Sequence, residues 1–187
     1  MSRLEIRLSG FGGQGIIRSG EILGKAADIY DDRRATFTQN YGPESRGGAA
    51  AAEVVIADDP ADLSYPHVIS PSILVVMSQG AYNRYVPEFR RDGLLIIDDS
   101  LVTLDEKAEG LRVLGVPATR IAEEMGRRIV ANVVMLGFLA AVTDIASPEA
   151  IKRAVLDSVP ASTIELNERA FDAGFQYGHN AAPADPR

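Results

Sequence analysis

Six residues near the start of the chain, Gly-Phe-Gly-Gly-Gln-Gly, have the spacing of a turn that holds phosphate. They follow residues 4–9, in which apolar and polar side chains alternate, and they precede a helical pattern over residues 16–30. The first glycine permits a sharp turn, the second lets a ligand approach the backbone, and the last lets the helix pack against the strand. Free N–H groups in the first helical turn then favour an anion. The residues of this predicted phosphate site are Gly10, Phe11, Gly12, Gly13, Gln14 and Gly15.

The kind of phosphate ligand depends on residues further along the chain. A dinucleotide site needs an acidic residue about 20 residues after the glycines, where it binds the ribose hydroxyls. The second predicted strand, residues 35–38, has no Asp or Glu directly after it, which weakens an NAD site but not phosphate binding. Arg18 lies in the first helical turn, where a cation opposes the helix dipole, so it either faces an anion or is solvated. A tight turn that binds nothing is the alternative for the whole segment.

A second polar segment, residues 38–48, follows that strand and contains Tyr41 and Arg46 among turn-forming residues. Loops of this kind often carry binding functions, and a guanidinium can form two parallel hydrogen bonds with an anion. A plain surface turn between two strands is the alternative. Because the chain returns at once as a strand over residues 49–57, the two strands should pair antiparallel.

The remaining elements predict one α/β domain. Apolar runs at residues 73–77, 94–97 and 111–114 indicate buried strands, with a short helix over 81–89 between the first two. Helices are expected at residues 119–125, 129–143, from Ser147 onward, and 163–177. We therefore expect a single Rossmann-like domain over residues 1–178, with a mostly parallel sheet, an antiparallel excursion and C-terminal helices, followed by a disordered tail over 179–187.

For three side chains in these helices the sequence predicts burial or a particular role. The helical spacing predicts that Ile29 and Ile129 are buried. Asn132 is the polar exception in an otherwise apolar helix, and a buried amide needs partners for its donor and its acceptor. It either braces a loop or contacts a ligand.

Composition excludes several classes of function. A net charge of −7 argues against nucleic-acid binding, which needs a basic surface. The sequence has neither a signal segment nor an apolar run of membrane-spanning length, so we expect a cytoplasmic protein without membrane contact. With no cysteine it cannot form a disulfide, a thiol nucleophile or a cysteine-ligated iron–sulfur cluster. His67 and His179 are isolated, so we predict no metal site, and no residue is predicted to be catalytic.

The two glycine-containing segments together resemble the gamma subunit of the 2-oxoacid:ferredoxin oxidoreductases. The shared segments are Gly-Phe-Gly-Gly-Gln-Gly after the first strand and Gln-Asn-Tyr-Gly-Pro-Glu-Ser-Arg-Gly-Gly after the second. Further similarities are Met-Ser-Gln at 77–79, Val-Pro-Ala-Thr at 116–119 and Ile-Val-Ala-Asn at 129–132. The resemblance extends from about residue 3 to 178 and is most similar to subunits that act on 2-oxoglutarate.

The resemblance implies a subunit that is inactive alone. Enzymes of this family decarboxylate a 2-oxoacid on thiamine diphosphate, pass electrons through iron–sulfur clusters to ferredoxin and transfer the acyl group to coenzyme A. Thiamine and clusters would belong to partner subunits, namely the thiamine-binding, pyrimidine-side and ferredoxin-like ones. The glycine turn and the segment Arg46, Gly47 and Gly48 are then the candidates to face coenzyme A phosphates or a neighbouring subunit. Aromatic 2-oxoacids such as phenylglyoxylate are alternative substrates, and a free-standing Rossmann-type nucleotide-binding protein is the alternative function.

Overall fold

The computed structural model describes residues 3–41, 49–63 and 65–181. Six strands form one sheet: β1 (Arg3–Phe11), β2 (Arg34–Tyr41), β3 (Ala49–Ala57), β4 (Ile73–Val76), β5 (Leu94–Asp98) and β6 (Arg112–Val116). Six α-helices accompany them: α1 (Ile16–Lys25), α2 (Gln79–Tyr85), α3 (Ala118–Glu124), α4 (Ala131–Val142), α5 (Pro148–Leu156) and α6 (Ile164–Ala181). The number and order of strands agree with the sequence prediction.

The order of strands across the sheet is β2-β3-β1-β4-β5-β6. Strands β1, β4, β5 and β6 run parallel, whereas β3 pairs antiparallel with β1 on one side and with β2 on the other. The predicted mostly parallel sheet with an antiparallel excursion is therefore confirmed. Because β2 and β1 both oppose β3, their carboxyl ends lie at the same edge of the sheet.

Apolar side chains cover both faces of the sheet. On one face, alternate residues of β1 (Leu4, Ile6 and Leu8) pack with α1 and with the helices of the carboxyl-terminal half. On the other face, Leu74 and Val76 pack with Tyr82 of α2. The ends of the parallel strands are left open between these two layers, and ligands approach open α/β sheets at such ends.

Helices α4 and α6 cross with their backbones in close contact. A Cβ added at Gly137 would overlap the carbonyl oxygen of Phe171, and one added at Gly174 would overlap the carbonyl oxygen of Val134. Small residues at both positions therefore set the separation of the two helices. This crossing fixes the amino end of α4 relative to the sheet.

Glu5 anchors the connection between β3 and β4. Its carboxylate accepts hydrogen bonds from the backbone N–H groups of Ile69 and Ser70 at 2.8 Å each, and from Nε of Arg3 at 2.9 Å. Burial alone would raise the pKa of Glu5, but the hydrogen bonds from Ser70, Arg3 and Ile69 oppose it and leave the pKa lowered.

The predicted burial of Ile29 and Ile129 is wrong in both cases. Residues Ala26–Tyr30 continue α1 as a π-helix, whose wider turn moves Ile29 off the buried face, and its side chain is 62% exposed. Ile129 lies in a 3₁₀ turn, Arg128–Val130, that precedes α4, and its side chain is 74% exposed. The buried helix therefore begins at Ala131 rather than at residue 129.

The last helix is longer than the spacing predicts. It continues to Ala181, so the first residues of the segment expected to be a tail are helical. Residues 182–187 lie outside the described part of the chain. None of the helices that the structure describes combines the length and apolar character needed to cross a bilayer.

Candidate functional site

The glycine turn connects β1 to α1 at the carboxyl edge of the sheet. Gly13 (φ 95°) and Gly15 (φ 74°) both have the left-handed backbone that favours glycine. The N–H of Gln14 donates to the carbonyl of Phe11 at 3.2 Å, which closes the turn. The segment predicted from its spacing thus has the backbone of a tight strand-to-helix turn.

The Gln14 side chain holds the turn in place. Its Oε1 accepts from the N–H of Phe11 at 2.6 Å, and its Nε2 donates to the carbonyl of Met77 at 2.7 Å. Met77 directly follows β4, so the amide joins the turn to the end of the neighbouring strand. Gln14, which the sequence groups with the ligand-facing residues, therefore has its amide occupied within the chain.

The amino end of α1 presents positive potential to the turn. Its N-cap is Gly15, which has no side chain that could accept a hydrogen bond from the first N–H groups. The first turn contains no acidic residue. Arg18 is exposed and donates to Glu21 at 2.7 Å and to the carbonyl of Ser158. The guanidinium therefore lies beside the turn but is held by two acceptors of the chain itself.

The second glycine segment lies outside the described residues, so the structure gives no position for Arg46, Gly47 and Gly48. Its two anchoring strands are described. Phe11 of β1 is opposite Ala49 of β3, and Tyr41 of β2 is opposite Ala50. The segment therefore leaves and re-enters the sheet at the edge where the glycine turn is found.

Three cavities surround the glycine turn. One of about 480 Å³ lies on the β3 side, next to Phe11, Gly12 and Arg18. One of about 220 Å³ lies towards β4, between Gln14 and Ile129. A third, also about 480 Å³, lies between the amino ends of α1, α4 and α6. All three have Gly13 in their walls, so the turn is the point that they share.

Asn132 lies directly behind the turn. Its side chain is 8% exposed, and a Cβ added at Gly15 would come within 2.5 Å of its Nδ2. Its Nδ2 donates to Oγ of Ser19 at 3.5 Å, a long hydrogen bond, and Ser19 in turn donates to the carbonyl of Gly15 at 3.0 Å. The sequence pointed to Asn132 as an unusual polar residue, and the structure brings it to the turn.

Basic side chains border the same region of an otherwise acidic protein. Arg127 and Arg128 precede α4 and line cavities next to the turn. Arg128 lies 3.5 Å from Glu123, and both side chains are exposed. The guanidinium of Arg127 has no hydrogen-bond or ion-pair partner among the described residues. These two arginines are more than 100 residues from the glycines in the chain, so the sequence gives no sign that they lie close to the turn in space.

Polar residues at the end of β5 have structural partners. The buried Asp98 accepts from the N–H and Oγ1 of Thr119 at 3.0 and 2.6 Å, and from the N–H of Ser100 at 3.1 Å. Burial and the neighbouring Asp98 carboxylate raise the pKa of Asp99. Asp98 therefore fixes the start of α3 rather than facing a ligand.

Metal-binding groups do not cluster in the described part of the chain. Across residues 3–41, 49–63 and 65–181, no three His, Cys, Asp or Glu side chains come together in a way that could hold an ion. His67 and His179 are both exposed, as expected from their isolation in the sequence.

Comparison with known proteins extends these observations. Residues 5–177 match the family model described as pyruvate ferredoxin/flavodoxin oxidoreductase. The chain is 51% identical over 176 residues to 2-oxoglutarate synthase subunit KorC of Methanocaldococcus jannaschii, covering 93% of each protein. It is 33% identical over 177 residues to pyruvate synthase subunit PorC of Methanothermobacter marburgensis, covering 92% of this chain and 96% of that protein.

A solved structure has the same fold. It is the gamma subunit of a keto/oxoacid ferredoxin oxidoreductase from Geobacter sulfurreducens, with 39% sequence identity and a TM-score of 0.85. The superposition covers 97% of this chain and 99% of that one. The whole described domain, rather than the glycine turn alone, is therefore shared.

Proposed function

The chain belongs to the pyruvate ferredoxin/flavodoxin oxidoreductase family, and from this premise we propose that it is the gamma subunit of a 2-oxoglutarate:ferredoxin oxidoreductase. The observation that carries the proposal is the 51% identity, over 93% of both chains, to a 2-oxoglutarate synthase subunit. Three relatives with 48–51% identity are 2-oxoglutarate synthase subunits, whereas a pyruvate synthase subunit of similar length is 33% identical, which favours 2-oxoglutarate over pyruvate as the substrate.

The proposal divides the chemistry among subunits. The bound thiamine diphosphate and iron–sulfur clusters of partner subunits supply decarboxylation and electron transfer. The absence of cysteine from this sequence agrees with that division, because cysteine thiolates hold such clusters. The partners are the thiamine-binding, pyrimidine-side and ferredoxin-like subunits. This chain contributes to coenzyme A binding and to closure of the active site, at the edge of the sheet that carries the glycine turn.

We assign the coenzyme A phosphates to the glycine turn. No side chain caps the N–H groups of the first turn of α1, and the helix dipole stabilises an anion placed at this end of the helix. Arg127 and Arg128 lie within the same group of cavities, and a guanidinium matches phosphate geometry. Arg46, Gly47 and Gly48 remain candidates for the same ligand from the neighbouring segment.

Purification of the tagged chain from its native cell tests the subunit role. Thiamine-binding and cluster-containing subunits should co-purify, and the complex should reduce ferredoxin with 2-oxoglutarate faster than with pyruvate or phenylglyoxylate. A chain that purifies alone, with no such partners, would contradict the proposal.

A pair of matched variants tests the phosphate role in the complex. Gly13 and Gly110 both have positive φ, and a Cβ at either would meet nothing within 4 Å. Gly13→Asp places a carboxylate in the turn, so the KM for coenzyme A should rise tenfold or more while the KM for 2-oxoglutarate is unchanged. Gly110→Asp carries the same backbone strain away from the turn and should leave both constants unchanged. Equal constants in the two variants would refute the phosphate role.

A further inference from the structure

The outer edge of β2 lacks the features that normally keep a sheet edge unpaired. β2 is the last strand on its side of the sheet, so β3 is its one neighbour in the sheet. It has eight residues, contains no proline and carries no charge after Arg34. Natural proteins usually protect such an edge with short strands, charged side chains or proline, because unpaired backbone groups attract another strand.

The opposite edge of the sheet, formed by β6, does have such features. β6 has only five residues and begins with the exposed Arg112. The carboxylate of Asp99 lies beside its other end, since a Cβ added at Gly115 would be 3.1 Å from Oδ2 of Asp99. A charge at each end and a short length hinder the addition of a further strand. The two edges of the sheet therefore differ, and β2 is the one left open to pairing.

The hydrogen bonds of the sheet fix which backbone groups of β2 face outward. The carbonyls of Glu5 and Ser9 in β1 accept from N–H groups on the β4 side, both at 2.9 Å. Because successive residues of a strand point to opposite sides, the even-numbered residues of β1 point to β3. Following the register from β1 to β3 and on to β2 leaves the odd-numbered residues of β2 pointing outward. In the described part of the chain, the backbones of Ala35 and Phe37 have no partner on that side.

Both faces of β2 are covered, so only a narrow occupant fits its edge. On one face the ring of Phe37 packs against α1, where a Cβ added at Gly20 would lie 2.9 Å from Cε2 of the ring. On the other face, Oγ1 of Thr36 donates to the carbonyl of Pro66 at 3.2 Å. Unpaired N–H and C=O groups that recur at every second residue match the backbone of one extended strand. The occupant is therefore a strand rather than a helix or a small molecule.

We propose that β2 pairs antiparallel with β2 of a second copy of this chain, with Phe37 of each copy opposite Phe37 of the other. This register places outward-pointing residues opposite each other, as the exchange of both hydrogen bonds requires. It sets Thr36 against Thr38 and one phenylalanine against another, and threonine pairs and aromatic pairs both stabilise antiparallel strands. It also sets Arg34 against the neutral Asn40, so no like charges meet.

The distribution of charge favours a second copy as the partner. The chain has a net charge of −7, so two copies repel each other on average. β2 offers a stretch without charge on which they can meet. Its one charged residue, Arg34, lies 3.9 Å from Asp28 of its own chain, and both side chains are about half exposed. Pairing therefore brings no unpartnered charge into the contact.

Pairing of this kind joins the two six-stranded sheets into one. Because the paired β2 strands run in opposite directions, the carboxyl edges of the two sheets, with their glycine turns, lie at opposite sides of the dimer. Each copy can therefore contact its own set of partner subunits. The pairing is independent of which ligand the glycine turn binds, so it goes beyond the proposed function.

Sedimentation of the full chain over the micromolar range tests the inference. The unaltered chain should form a dimer that dissociates on dilution. Ala35→Pro removes an outward-pointing N–H, and proline is tolerated on an edge strand where the N–H faces outward. This variant should therefore be monomeric, with the circular dichroism spectrum of the parent. An unaltered chain that remains monomeric at every concentration would overturn the inference.

Asn40→Glu and Asn40→Lys test the register at an exposed side chain. In the dimer each new charge faces Arg34 of the other copy. The dissociation constant should therefore fall about threefold or more with glutamate and rise about threefold or more with lysine. Net charge alone predicts the reverse order, because glutamate makes the acidic chain more negative and lysine makes it less so. The reverse order, or equal constants, would overturn the inference.

Hydrogen exchange identifies what occupies the edge. The N–H of Phe37 should exchange more slowly in the dimer of the unaltered chain than in the Ala35→Pro monomer. Equally fast exchange in both would place the dimer contact elsewhere and overturn the inference. If the free chain is a monomer and this N–H is protected only in the complex with partner subunits, a strand of a partner occupies the edge and the inference is wrong.

Discussion

The substitution Gly15→Ala probes how the glycine turn and α4 fit together. Gly15 has a φ of 74°, so alanine there would adopt a left-handed conformation. Its new Cβ would also lie 2.5 Å from Nδ2 and 2.9 Å from Cγ of Asn132. Because Asn132 is buried, its side chain cannot move freely out of the way.

The expected cost has two parts. A non-glycine residue in the left-handed region costs about 1–2 kcal/mol. Forcing extra atoms into a packed site adds about 1–3 kcal/mol. Gly15→Ala should therefore lower the free energy of unfolding by about 2–5 kcal/mol. Gly13→Ala and Gly110→Ala meet no neighbouring atom and should each cost about 1–2 kcal/mol, from the backbone alone.

Urea unfolding followed by circular dichroism measures these differences, with all three variants compared at the same pH and salt. The denaturant slope should be unchanged, so that the shift in midpoint reports stability. If Gly15→Ala costs no more than Gly13→Ala and Gly110→Ala, the contact between the turn and Asn132 is not as the structure describes it.

Three further predictions concern other parts of the domain. Gly137→Ala, which places a Cβ against the carbonyl of Phe171, should lower the free energy of unfolding by about 3 kcal/mol or more, measured by urea unfolding. Gln14→Leu leaves the carbonyl of the buried Met77 without its donor and should cost about 1–3 kcal/mol in the same measurement. Glu5→Gln should reduce the melting temperature at pH 7, and this difference should shrink as the pH is lowered below 4.5. The lowered pKa of Glu5 means that its ionised form stabilises the fold above the ordinary value of 4.5, and that this contribution is lost as the pH falls through the folded-state pKa.

Each of these predictions has a contradicting result. A Gly137→Ala variant as stable as the parent would mean that α4 and α6 are further apart. An unchanged stability in Gln14→Leu would show that water satisfies the carbonyl of Met77. A Glu5→Gln difference that persists unchanged at acid pH would show that ionisation of Glu5 is not its source.

Local patterns in the sequence identified most of the fold. Three of these patterns each involve only a few neighbouring residues: the alternation in β1, the apolar run of β4, and the helix cap that Ser147 forms before Pro148. The structure has the predicted strand or helix at all three places. The short connection between β2 and β3 also predicted correctly that these two strands pair antiparallel. These features depend on backbone geometry and burial within one element.

Features that depend on contacts between distant segments were not predicted. The π-helical end of α1 shifts the helical period and exposes Ile29, and no local residue signals it. The hydrogen bond from Gln14 to Met77 joins residues 63 positions apart. The sequence could identify Asn132 as unusual, but its place beside Gly15 follows from how α4 packs, which only the assembled domain specifies.

Omission and add-back of this chain in the reconstituted complex tests whether it is the subunit through which the enzyme binds coenzyme A. The partner subunits are assembled with and without it, and coenzyme A-dependent reduction of ferredoxin by 2-oxoglutarate is measured. We expect activity to be lost without the chain, to return when the chain is added, and to return with a raised KM for coenzyme A when the added chain carries Gly13→Asp. Full activity in its absence, with an unchanged KM for coenzyme A, would show that the chain has no part in coenzyme A binding.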